Sequence, residues 1–136
     1  MELNILRADP AGNITVFVLD PVEKAQRAAI AEKIMAIPAL KAEQVGYACA
    51  AEDDVDGHME MMGGEFCGNA TRAYGMYIAQ QKGGLSSVRL RVSGCDHAVT
   101  AQVDLKSGTA RAEMPCPRSV KRVTAVSYTH LTLPTI

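Results

Sequence analysis

The sequence predicts an α+β domain in which short strands precede and follow one buried helix. Three observations predict it. Short β-branched and apolar runs lie toward both ends of the chain, the stretch from Ala73 to Ala79 is helical in spacing yet carries no charge, and Val88, Leu90 and Val92 alternate with Arg89 and Arg91. With 136 residues, 48% of them hydrophobic and 21% charged, the chain has the apolar material for one domain core and not the composition of a disordered segment.

Taken in order, residues 3–6 and 14–19 are strand-forming runs separated by Asp9-Pro10-Ala11-Gly12-Asn13, which predicts an opening hairpin with Asn13 at its loop-to-strand junction. Asp20-Pro21 offers an N-cap acceptor and a first-turn ring. Val22, Ala25, Ala29, Ile30, Ile34 and Ile37 follow at helical spacing, predicting an amphipathic helix that ends before Pro38. Residues 44–50 and 58–62 read as strands around an acidic surface loop at 52–57, with Met59, Met61 and Met62 as core filling. A helix over 69–82, capped by Asn69 and stopped by Gly83-Gly84, has no charged face in its middle, Ala73 to Ala79, and therefore belongs inside the strands. A strand over 88–92 and a hairpin of 98–103 with 109–114 around Lys106-Ser107-Gly108 complete the pattern. Pro115-Cys116-Pro117 then reads as a linker leaving the domain, and residues 1–125 contain no internal repeat.

Charge and cysteine usage narrow the function. The formal net charge is -1 and the basic residues are dispersed, which speaks against nucleic acid and anionic lipid and for a small-molecule partner. Cys49, Cys67, Cys95 and Cys116 form no CxxC pair, so free thiols in a reducing cytoplasm are expected. No apolar run approaches the roughly 20 residues of a membrane span. The histidines lie far apart and no phosphate-binding glycine motif occurs, so neither a metal nor a cofactor is expected. Cys95-Asp96-His97 reads as a turn.

Residues 126–135, Val-Ser-Tyr-Thr-His-Leu-Thr-Leu-Pro-Thr, lack helical periodicity and do not continue the strands. They resemble the in-frame translation of a transposase sequencing-library adapter, in which GTC TCT TAT ACA CAT CTG encodes Val-Ser-Tyr-Thr-His-Leu. The alternative is a genuine C-terminal strand. On the adapter reading, 126–136 is an artefactual tail, residues 1–125 are the N-terminal half of a two-domain protein, and the C-terminal half is missing.

The chemistry concentrates in residues 61–72, Met-Met-Gly-Gly-Glu-Phe-Cys-Gly-Asn-Ala-Thr-Arg, where a thiol stands at the mouth of the buried helix. First-turn N–H groups and the helix dipole favour a substrate carboxylate there and stabilise a neighbouring thiolate, while Gly68 lets a ligand approach the backbone. Cys67 can then serve as a base toward a carbon-bound α-proton, whose removal needs that charge stabilisation. Glu65 is expected in solvent.

Cys67-Gly68-Asn69-Ala70-Thr71-Arg72 resembles the Cys-Gly-Asn-Gly-Ala-Arg signature of diaminopimelate epimerases, and Gly12-Asn13 before a strand resembles their Gly-Asn element. The resemblance runs through most of residues 1–125. It implies a curved antiparallel or mixed sheet wrapped around a central helix in each of two halves, with the active site between them and no cofactor. It implies Cys67 as one of two catalytic cysteines, Gly68 and Asn69 at the substrate α-carboxylate, and Asn13 and Gln44 at the distal part of an amino-acid substrate. Amino-acid epimerisation or racemisation, as in lysine biosynthesis, is the implied activity, and a homodimer is compatible with it. The family's Asn-Ala-Asp-Gly stretch is missing, and Gly63-Gly64-Glu65-Phe66-Cys67-Gly68-Asn69-Ala70-Thr71-Arg72 is closer to the histidine racemases of metallophore pathways. Two other readings stand beside this one: an isomerase of the phenazine-biosynthesis type, which would use a carboxylate where Cys67 stands, and a non-catalytic amino-acid-binding domain.

Overall fold

Among residues 1–124, which the computed structural model describes, seven strands and two helices follow one another as β1 (Ile5–Ala8), β2 (Thr15–Val18), α1 (Lys24–Met35), β3 (Gln44–Cys49), β4 (Gly57–Met61), α2 (Gly68–Gln81), β5 (Ser87–Val92), β6 (Val99–Asp104) and β7 (Thr109–Ala112). The tail set aside above, His130 included, lies outside the described residues. The strands form a single mixed sheet in chain order, curled into a half-barrel.

Connectivity places the helices. β2 and β3 are parallel and joined through α1, whereas β4 and β5 are parallel and joined through α2. Because β3 and β4 are antiparallel, the two parallel pairs run in opposite directions. Right-handed crossovers then put the two helices on opposite faces of the sheet. The core divides accordingly. Phe17, Met59, Met61, Leu90 and Ala101 pack with Ala70 and Tyr74 of α2, and Val16, Val18, Val45 and Tyr47 pack with Ile30, Ala31 and Ile34 of α1.

Strand patterns follow from this layering. β2 has helices on both faces and is buried at all four positions, while β6 alternates between buried and more exposed positions. Phe17 stands opposite Gly46, where a Cβ would come within 2.7 Å of the ring, and its ring packs on Tyr74 at a centroid distance of 5.4 Å. Burial pushes the Tyr74 hydroxyl up to about 12.

Several expectations are corrected. Asp20 does not cap α1. Its carboxylate accepts the Asn4 backbone N–H at 2.5 Å and the Asn4 side-chain amide at 3.1 Å, tying the end of β2 to the start of β1. α1 begins at Lys24, with Glu23 at its N-cap making no side-chain cap bond, and Ile37 lies beyond its end and is 45% exposed. Met59 and Met61 fill the core, but Met62 follows the last residue of β4 into a turn and is 40% exposed. α2 is not enclosed on every side, since Ala73, Met76 and Tyr77 line a groove of about 450 Å³ between β1 and β7, with Leu6, Ala8 and Ala110. The acidic loop is tied to β5, where Asp56 accepts the Arg89 N–H at 2.8 Å and Asp54 accepts from Arg91 Nη2 at 3.1 Å.

Candidate active site

α2 starts at Gly68, and its N-cap is Cys67, not Asn69. The Cys67 backbone is extended, and its Sγ accepts the Ala70 N–H at 3.4 Å, so the thiol itself takes the place usually held by a Ser or Asp oxygen. Thr71, fully buried, donates both its N–H (2.9 Å) and its hydroxyl (2.7 Å) to the Cys67 carbonyl and fixes that first turn. The sulfur thereby stands over the positive end of a fourteen-residue helix.

A second donor reaches the sulfur from the sheet. Gln44 Nε2, at the start of β3, lies 3.1 Å from Cys67 Sγ and 2.7 Å from Thr15 Oγ1, and Thr15 is its direct neighbour in the β2–β3 register. Thr15 is fully buried, so its hydroxyl orients the Gln44 amide from a fixed position. Gln44 is thus placed at the thiol. Asn13 lies two residues before Thr15 and stands at the same end of the sheet.

The loop that delivers Cys67 is braced from the turn after β5. Ser93 Oγ accepts the Met61 N–H at 2.8 Å and donates to the Glu65 carbonyl at 2.7 Å. Gly94 has φ +75°, and a Cβ there would fall 2.2 Å from the Phe66 nitrogen, so only glycine permits this approach of the two backbones. Glu65 is exposed, as expected.

Asn69 has a different partner from the one its sequence position suggests. Its Oδ1 accepts from Arg72 Nη2 at 2.7 Å, and the same nitrogen lies 3.5 Å from the Pro10 carbonyl, which ties the β1–β2 loop to α2. Gly68 and Asn69 supply the first N–H groups of α2, which have no acceptor within the helix. The approach to Gly68 is covered by Met114, whose Sδ would lie 2.9 Å from a Cβ built there.

The structure therefore brings Cys67, Gln44, Gly68 and Asn69 together, with Asn13 at the same end of the sheet. Thr15, Ser93, Gly94 and Met114 were missed. The signal for Thr15 was a hydroxyl in an otherwise apolar strand, and the others act only through contacts distant in sequence. Cys95, Asp96 and His97 lie in a bend between β5 and β6, where one ligand atom of each is within 4.8 Å of the others and His97 Nδ1 is 2.9 Å from the Asp96 carboxylate on an exposed surface. No helix among the described residues is long and apolar enough to cross a membrane.

Comparison with known proteins gives a consistent family. A stretch of 79 residues, 57% of this chain, is 42% identical to a histidine racemase of Fusobacterium nucleatum subsp. nucleatum, and a stretch of 99 residues, 70% of this chain, is 34% identical to a histidine racemase of Staphylococcus aureus. A histidine racemase from a second Fusobacterium nucleatum strain is 39% identical over 79 residues. These matches span 27% to 36% of the relatives' own lengths. Of the two likenesses carried by the Cys67 segment, that to histidine racemases is the one supported. The family model described as the histidine racemase CntK N-terminal domain matches residues 2–135, and the chain belongs to that family.

Proposed function

We propose that this chain is the N-terminal half of a cofactor-independent racemase that inverts the α-carbon of histidine, with Cys67 as one of two acid/base thiols, the mechanism its resemblance to diaminopimelate epimerases implies. The observation that carries the reading is the convergence of two N–H donors, from Ala70 and Gln44, on a sulfur at the start of α2. Such donors suit a thiolate that must hold negative charge beside a substrate.

In this account Met114 swings off Gly68, and the substrate α-carboxylate docks on the N–H groups of Gly68 and Asn69. There the helix end stabilises the charge that develops as the α-proton leaves. The Cys67 thiolate takes that proton and becomes a thiol. A second thiol, from the half this chain does not contain, delivers a proton to the opposite face of the planar carbanion, so the configuration inverts and one proton is exchanged with solvent per turnover. Asn13 holds the distal part of the substrate. Gln44, expected only as a substrate contact, also orients and stabilises the Cys67 thiolate.

The test uses the full-length protein that contains this half. Incubated with a panel of amino acids and followed by chiral chromatography, it is expected to racemise histidine, and Cys67→Ser is expected to lower the rate by roughly 10²- to 10⁴-fold. Binding of an amino acid with no racemisation of any member of the panel would replace this reading with a non-catalytic binding domain.

A further inference from the structure

On the face of the sheet opposite Cys67, three side chains form a second cluster. Cys49 of β3 and His58 of β4 are direct register partners, and Glu60 lies two residues along β4, so all three point to the α1 side. One ligand atom from each lies within 4.8 Å of the others, and all three residues are half-buried, open enough for an ion to enter. His58 Nε2 is 3.6 Å from a Glu60 carboxylate oxygen. A thiolate, an imidazole and a carboxylate are a donor set for zinc, and three protein ligands leave a fourth tetrahedral position to water.

The cluster already holds positive charge. Arg27 reaches over from α1, pairs with Glu60, and brings its Nη2 3.6 Å from Cys49 Sγ, while its guanidinium lies 5.1 Å from the centroid of the Tyr47 ring. The guanidinium therefore occupies the space between sulfur and carboxylate. The Arg27 side chain is 16% exposed and its Nε also donates to the Val22 carbonyl at 3.3 Å, so a metal that takes its place has to release the guanidinium from both Glu60 and that carbonyl.

We propose that Cys49, His58 and Glu60 form a binding site for a zinc-like divalent ion, with Arg27 as the cation that the metal displaces. On binding, the Cys49 thiol gives its proton to solvent, the sulfur, a neutral His58 ring nitrogen and the Glu60 oxygen bond the metal, and Arg27 moves out to water; no electron is transferred. Nothing in the proposal depends on the chemistry at Cys67, which faces the other side of the sheet.

Cobalt(II), a spectroscopic stand-in for zinc, titrated into the reduced full chain should give a thiolate-to-metal charge-transfer band with a one-to-one end point, and zinc should bleach it. The band should persist in Cys67→Ser and Cys95→Ser and vanish in Cys49→Ser. Arg27→Met keeps the stem over Tyr47 and removes the competing charge, so it should bind cobalt at least about tenfold more tightly, the equivalent of about 1.4 kcal/mol. Circular dichroism checks each variant's fold, and should Cys49→Ser not fold, loss of the band in His58→Gln carries the same weight. A reduced chain that gives no band, a band that survives Cys49→Ser, or one lost instead in Cys95→Ser at the exposed turn would overturn the site. An unchanged affinity in Arg27→Met would overturn the displacement of its guanidinium.

Discussion

At Cys67 a residue readable from sequence depends on neighbours that were not. The thiol and Gln44 were legible because a cysteine flanked by glycines at the start of a helix with an uncharged middle is an unusual combination, and because the segment resembles known epimerases. Thr15, Ser93 and Gly94 were not, since each acts across about 28 or more positions of chain by a hydroxyl contact or a backbone approach that leaves no local pattern. Gly94→Ala tests the brace. A Cβ at that φ and that distance from Phe66 should cost about 1–3 kcal/mol, read as a lower urea midpoint, and should change the alkylation rate of Cys67. A variant with unchanged midpoint and thiol reactivity would show that the loop does not lean on this turn. Gln44→Leu tests the second donor. Loss of a hydrogen bond to a charged group costs about 1.5–3 kcal/mol, so kcat for racemisation should fall about ten- to hundred-fold. A rise confined to KM would return Gln44 to the role of a substrate contact alone.

Among the elements, the strands and both helices were legible from period and turn residues, whereas helix starts were misread. Asp20-Pro21 has the composition of an N-cap, yet the Asp20 carboxylate is drawn off by Asn4, sixteen residues earlier. Asn69 looks like a cap, yet its side chain is taken by Arg72 and the sulfur two residues earlier does the capping. At Asp20 a partner distant in sequence outcompetes the local choice and is invisible to a short window, whereas Asn69 is taken by a residue three positions on in the same helix. The Asn4 N–H, followed by the Asn4 side-chain amide, holds the Asp20 carboxyl below the usual aspartate range. A depressed folded-state value means that its stabilising contribution is present above the ordinary aspartate value and is lost as the pH falls through the lowered one. Asp20→Asn should therefore reduce stability at neutral pH and flatten the loss between neutral and acidic pH, as measured by urea unfolding at several pH values. A variant with the parent's pH profile would remove Asp20 from the account.

The whole molecule follows from two crossovers of one hand on strand pairs of opposite direction, which set α1 outside the curl and α2 within it. The uncharged stretch from Ala73 to Ala79 predicted a helix covered by strands. That the cover is incomplete, with Ala73, Met76 and Tyr77 facing a groove between β1 and β7, was not legible, because apolar composition tells that a face is covered but not by which chain segment. The matched stretches span about a quarter to a third of the relatives' length, and the mechanism proposed here draws its second thiol from a further domain. The most direct measurement is therefore α-proton exchange in D2O, followed by NMR on the full-length Cys67→Ala protein with L-histidine and D-histidine separately. The account predicts that exchange persists from one enantiomer only, the one whose proton faces the remaining thiol, and that racemisation is lost. Exchange from both enantiomers at the rates of the unsubstituted protein would contradict the assignment of Cys67 as a base.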